Sequence, residues 1–174
     1  RFKKMKEQVN TCQFIGHLLE PTDENLIICV REDNEHTTHS AEMLVSTDFF
    51  QTSNTPLKDV IGFVQEDDYL VAATAEADGS LKAHVSVNGR DWTDALFPAN
   101  IRVDKQQAYT VLSAMSQAIF LHVTTNQRSG TEYGHLLKSN SNGTSYVMSN
   151  EYVNRDVYGY VDFEQLENLE GVAV

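Results

Sequence analysis

At ~100–200 residues per domain, 174 residues make one domain, and 13 Lys and Arg against 25 Asp and Glu give a formal charge of -12. Nucleic acid needs a basic field to meet its phosphates, and an anionic membrane face needs the same, so both are excluded as partners. Four of the basic residues are Arg1, Lys3, Lys4 and Lys6, which leaves 9 basic against 25 acidic side chains in residues 7–174, a surface suited to a cationic partner.

Apolar residues then come in short bursts separated by polar turn clusters, lengths that suit strands rather than helices. In chain order the predicted strands are 11–16, 25–30, 42–47 and 49–52, then 59–64, 69–74, 81–86 and 91–97, then 109–114, 117–124, 134–139 and 145–149. Glu66-Asp67-Asp68, Ala77-Asp78-Gly79-Ser80, Asn88-Gly89 and Asn142-Gly143 supply the turn chemistry between them. Asp162 to Glu170, with Phe163, Leu166 and Leu169 at regular spacing, reads as a short helix or as a loop anchored by three side chains. Cys12 and Cys29 match no zinc spacing. They are either buried thiols or one bridge, and a bridge requires an oxidising compartment. Asn142-Gly143-Thr144 is an acceptor for N-linked glycan and points to the same compartment. No apolar run approaches the ~18 residues of a membrane span, and no charged-then-apolar start resembles a signal peptide. The ends, RFKKMK and GVAV, read as cuts in a longer protein.

The strands repeat as a unit. Ser46, Ser86 and Ser139 each close an apolar strand before a polar turn and an aromatic. Recurrence of a four-strand order at ~40–50 residues is the mark of propeller blades. The fold class is therefore all-β, with three four-stranded antiparallel blades at about 11–52, 59–97 and 109–149 and the start of another at 171–174. A ring needs roughly four to eight blades, so the remainder is expected elsewhere in the protein.

The three turns resemble Asp-boxes, whose pattern is Ser/Thr-x-Asp-x-Gly-x-x-Trp/Phe. The short side chain satisfies turn N–H groups, Gly takes a positive φ, and the aromatic packs between strands. The third turn, with Ser139, Ser141, Gly143 and Tyr146, has full length, Ser141 standing for the Asp and Tyr146 for the Trp. In the second, Ser86, Asn88, Gly89 and Trp92 fit one residue short; in the first, Ser46 and Asp48 are kept without a Gly. Such boxes identify a fold device, not an activity.

The stretches HVSVNGRDWTDALFP (84–98), AYTVLSAMSQAIFLHV (108–123), GHLLKSNSNGTSYVMSNEYVNR (134–155) and GYVDFEQLENLEGV (159–172) resemble the luminal domain of sortilin-type vacuolar sorting receptors, most of all their fungal branch. The resemblance implies a ten-bladed propeller, luminal, N-glycosylated and disulfide-bearing, on a protein held by one membrane span outside these residues. It implies binding of soluble vacuolar hydrolase precursors, such as that of carboxypeptidase Y, in the late Golgi and delivery to a prevacuolar endosome. Peptide ligands of family members enter the central tunnel. First strands of blades line such channels, which makes 59–64 and 109–114 the expected walls.

No cofactor and no catalysis are expected. Asp-boxes also occur in propeller glycosidases, the alternative reading, but sialidase chemistry needs three arginines on the substrate carboxylate. Arg1, Arg31, Arg90, Arg102, Arg128 and Arg155 do not recur at matching blade places, and Arg31, Arg90 and Arg128 fall in or beside turns, where solvation is the simpler reading. Cys12 in the first strand and Cys29 in the second are separated by a loop long enough to form a hairpin that sets them opposite, and a bridge there would stabilise by ~3 kcal/mol. Among six histidines, His84, His122 and His135 lie on predicted strands, and His36 and His39 in a polar loop. His84 and His122 are candidates for a protonation switch that weakens cargo binding.

Overall fold

The computed structural model describes residues 9–15, 23–33, 40–101, 103, 109–115, 117–126, 128 and 131–164. Among these residues there are eleven strands and no helix. β1 (Val9–Phe14), β2 (Ile27–Asp33) and β3 (Ser40–Ser46) form one antiparallel meander. β4 (Val60–Glu66), β5 (Tyr69–Ala75), β6 (Leu81–Ser86) and β7 (Thr93–Asp94) form a second, and β8 (Tyr109–Met115), β9 (Ala118–Asn126), β10 (Tyr133–Ser139) and β11 (Tyr146–Asn154) a third. The all-β reading holds, with open sheets of three or four strands consistent with propeller blades.

Hydrophobicity follows position in the meander. The second strand of each sheet has a neighbour on both sides and both faces covered, so it is a continuous apolar run: Leu70 and Ile119 are fully buried, like Ile28. First and last strands are edges; β1 is exposed along nearly its whole length. Within β2 the period of two divides the side chains between two clusters. Ile28 and Val30 join Met43, Val45, Leu57, Val60, Leu70 and Ala72, with Phe63 and Trp92 against them, while Ile27 and Cys29 join Leu44, with Val9 and Phe50. The larger cluster is the seam between the first sheet and β4–β5. Each large aliphatic buried there contributes about 1.5–3 kcal/mol.

The chain divides into two compact units, 1–75 with 83–93, and 76–82 with 94–174. The division runs through the second sheet, since the first two residues of β6 and the last of β7 fall in the second unit. Inside that unit Phe97 packs against both Tyr109 and Tyr146, at 5.6 and 5.2 Å between ring centroids. Leu96 bridges to Ser145, and the Tyr109 hydroxyl donates to the Leu81 carbonyl at 2.8 Å. Burial pushes the Tyr109 phenol well above its ordinary pKa, so it stays a donor.

Two expectations change. Residues 49–52 form no strand: Phe49 and Phe50 have φ of 57° and 61°, a left-handed pair that reverses the chain, and only Asn54 returns to bridge Val45. The predicted strand 91–97 shrinks to Thr93–Asp94. Residues 162–164 are not helical; the rest of the predicted helix, and residues 171–174, lie outside the described residues.

Candidate functional site

β1 and β4 are the edge strands that begin their sheets, and a groove opens between them. It is lined by Gln13, Phe14, Phe63, Val64, Gln65 and Asp67 and has a volume of 560 Å3. Phe14 is 52% and Val64 41% exposed, more than two apolar side chains in a sealed seam would be. Phe14 also meets Phe49 at 6.2 Å. The groove therefore offers an apolar floor, two amides and one carboxylate beside the backbone edge of β1, which no other described strand pairs, a set that suits an extended polypeptide. Of the expected walls 59–64 and 109–114, residues 60–64 lie in β4, with Phe63 and Val64 on the groove, and 109–114 form the edge strand β8. Phe14, Gln13 and Asp67 had no sequence signal beyond their places at a strand end and a hairpin tip.

The first two serine turns are built from the same bonds, and the third differs. Ser46 Oγ accepts from the N–H groups of Asp48 and Phe50, at 3.2 and 2.9 Å, and donates to Asp48 Oδ1. The Asp48 carboxylate accepts from the Thr52 N–H and hydroxyl, and those bonds hold its pKa below the usual carboxylate range. In the second turn Ser86 Oγ accepts from Asn88 and Gly89, and Asn88 Oδ1 from the N–H groups of Arg90 and Asp91. Trp92 packs on the larger cluster of the first unit. In the third turn the residue before the expected acceptor also takes part. Asn140 Oδ1 takes the N–H groups of Thr144 and Ser145, at 2.9 and 3.3 Å. Ser139 Oγ turns inward to accept from the Ile119 N–H, Gly143 takes φ 71°, and Tyr146 is buried. Asn142 is exposed at the tip of that turn.

Cys12 and Cys29 stand directly opposite in the β1–β2 register, with Cα atoms 4.1 Å apart, and are joined as a disulfide. Arg31 and Arg90 are not simply solvated. Arg31 pairs with Glu42 on β3 at 2.8 Å, and Arg90 in the second turn pairs with Asp23. Arg128 lies in the turn after β9, its N–H bonded to Asn126. His84 is buried with Nε2 2.8 Å from the Thr74 hydroxyl, and His122 is fully buried with Nε2 3.1 Å from the Val153 carbonyl. Neither faces the groove lining. Among the described residues no cluster of His, Cys, Asp and Glu could hold a metal ion, and no helix is long and apolar enough to cross a membrane.

Comparison with known proteins places this geometry. The family model for sortilin and neurotensin receptor 3 (Sortilin-Vps10) matches residues 1–174. The vacuolar protein sorting/targeting protein 10 of Debaryomyces hansenii is 46% identical over 99% of this chain, and that of Schizosaccharomyces japonicus 41% over 99%. An uncharacterized membrane glycoprotein of Saccharomyces cerevisiae is 39% identical over 99%. The chain spans 11%, 12% and 16% of those relatives' lengths. With three serine-turn sheets, a bridged first hairpin and a family match along its whole length, the chain belongs to the Sortilin-Vps10 family.

Proposed function

We propose that these residues are three consecutive blades, at about 11–52, 59–97 and 109–149, of a ten-bladed propeller on the luminal side of a single-span sorting receptor. The receptor binds soluble vacuolar hydrolase precursors, such as that of carboxypeptidase Y, or their propeptides, in the late Golgi. It carries them to the prevacuolar endosome. The role is binding without catalysis and without a cofactor. The observation that carries this reading is the match of 99% of this chain to proteins named for vacuolar protein sorting. The groove between two sheet-opening edge strands supports it, because an extended chain finds both apolar contact and a free strand edge there. Asn142 carries the glycan in this reading, at an exposed tip.

The test is retention of vacuolar hydrolase precursors, made in the same secretory pathway, by the complete luminal part of the protein immobilised at neutral pH. The reading predicts that at least one precursor is retained and that its isolated propeptide competes. Retention of none, or competition by no propeptide, overturns it.

A further inference from the structure

In the third sheet two side chains cross in opposite directions over one glycine. His122 on β9 reaches past β10 to place Nε2 against the Val153 carbonyl of β11, at 3.1 Å. Arg155, just beyond β11, reaches back so that Nη1 donates to Thr124 Oγ1 on β9, at 2.7 Å. Between them β10 presents Gly134, which pairs with Thr124 and Val153. A Cβ there would overlap the Val123 carbonyl oxygen and come within 2.6 Å of His122 Cε1. The missing side chain is the slot through which the imidazole passes. The two crossings hold the end of β11 where its register shifts and Tyr152 takes φ 58°. They also anchor the hairpin beyond it, closed by Asp156 Oδ1 on the Tyr158 and Tyr160 N–H groups and by Asp162 N–H on the Asn154 carbonyl.

We propose that the His122–Gly134–Arg155 crossing is an acid-released latch on the 153–162 hairpin, independent of what the receptor carries. A carbonyl accepts, so His122 Nε2 holds the proton of the neutral ring and Nδ1 is bare. That Nδ1 is buried and finds no protein partner. A second proton on Nδ1 would have no acceptor and would put a cation in a fully buried position. The groups around it do not help. Arg155, just beyond β11, opposes the charge, and His135 of β10 adds to this; Asp156 acts on the Arg155 guanidinium, and β8 offers the neutral Thr110 opposite in register. Burial first, then the Arg155 guanidinium and the neighbouring His135, hold the His122 pKa below its ordinary value, against the opposing pull of the Val153 carbonyl. Acid therefore favours a form in which the ring leaves the slot for water. Release frees Val153 and Arg155 and lets the hairpin, with Tyr158 and Tyr160 already 84% and 76% exposed, swing away.

Hydrogen–deuterium exchange of the complete luminal protein, corrected for intrinsic chemistry, tests this on the segment 150–162, with 43–46 of the first sheet as reference. Opening of 150–162 should grow by up to about tenfold per pH unit below about 6.5, the ordinary value for histidine, while 43–46 stays unchanged. His122→Gln keeps a donor for the Val153 carbonyl but does not titrate, and its 150–162 segment should exchange alike at pH 7 and pH 5. His135→Gln should keep the acid response. An acid response absent from the wild type, present in His122→Gln, or lost in His135→Gln overturns the proposal. Should His122→Gln not fold, the wild type and His135→Gln decide it.

Discussion

Phe50 and Gly143 occupy the same place, four residues after the serine of their turns, and both are left-handed, with φ of 61° and 71°. The first turn thus puts a phenylalanine at the left-handed place that the third fills with glycine. A non-glycine residue held there costs about 1–2 kcal/mol. Phe50 offsets that by packing on Ile27, Cys29 and Leu44. The usual order of substitutions should therefore invert: Phe50→Ala loses the packing and keeps the strain, whereas Phe50→Gly loses the packing and sheds it. Thermal unfolding of the two variants should show Phe50→Gly the more stable by about 1 kcal/mol. Phe50→Ala equal or better would contradict the assigned turn.

Gly134 permits no side chain. Because its Cβ would meet backbone oxygen, which cannot rotate away, Gly134→Ala should destabilise by at least about 1–3 kcal/mol and drive the His122 ring out of its slot. Gly62, with nothing within 4 Å of its Cβ position, is the control, and Gly62→Ala should be close to neutral. Equal melting temperatures for the two variants would refute the close approach.

The bridge should be quantitative. Titration of the denatured, unreduced protein should find Cys12 and Cys29 without free thiol, and the Cys12→Ser, Cys29→Ser double variant should lose about 3 kcal/mol, the value for a loop of this size. Cys29 is fully buried beside Ile27 and Leu44, so the single Cys12→Ser variant should leave a slow-reacting thiol.

The first serine turn should be insensitive to acid down to pH 5, in contrast to the acid response proposed for the hairpin held by His122. Thr52 bonds depress the folded pKa of Asp48, so its stabilisation is complete above the unfolded value near 3.9 and fades only as pH falls through the folded one. Carboxyl resonances should show no Asp48 titration between pH 7 and 5. Asp48→Asn should lower the melting temperature less than Asp48→Ala, because Asn88 fills the same role in the second turn.

Much of the fold is legible in the order of residues alone. Runs such as Leu26–Val30 and Tyr69–Ala73 announce strands covered on both faces, and the recurring serines mark where meanders turn. The features that are not legible depend on register or on backbone angle. Asn140, one residue before the motif's acceptor place, takes the Thr144 and Ser145 N–H groups, which only the backbone of the turn sets in front of it. Phe49 and Phe50 read as strand residues by composition, yet the Ser46 hydroxyl, bonded to the Phe50 N–H, closes a turn around them. The crossing of His122 and Arg155 joins residues 33 apart in sequence over a glycine that only the sheet register sets between them. The groove needs Phe14 and Val64 from two sheets at once.

The most direct test of the receptor reading is calorimetric titration of the complete luminal protein with the propeptide of a retained precursor. The wild type is compared with Val64→Asp on the groove and Tyr158→Ser on the exposed hairpin. The reading predicts that affinity falls at least about tenfold, 1.4 kcal/mol, for Val64→Asp and stays unchanged for Tyr158→Ser. Unchanged affinity in Val64→Asp, or an equal loss in both variants, would contradict it.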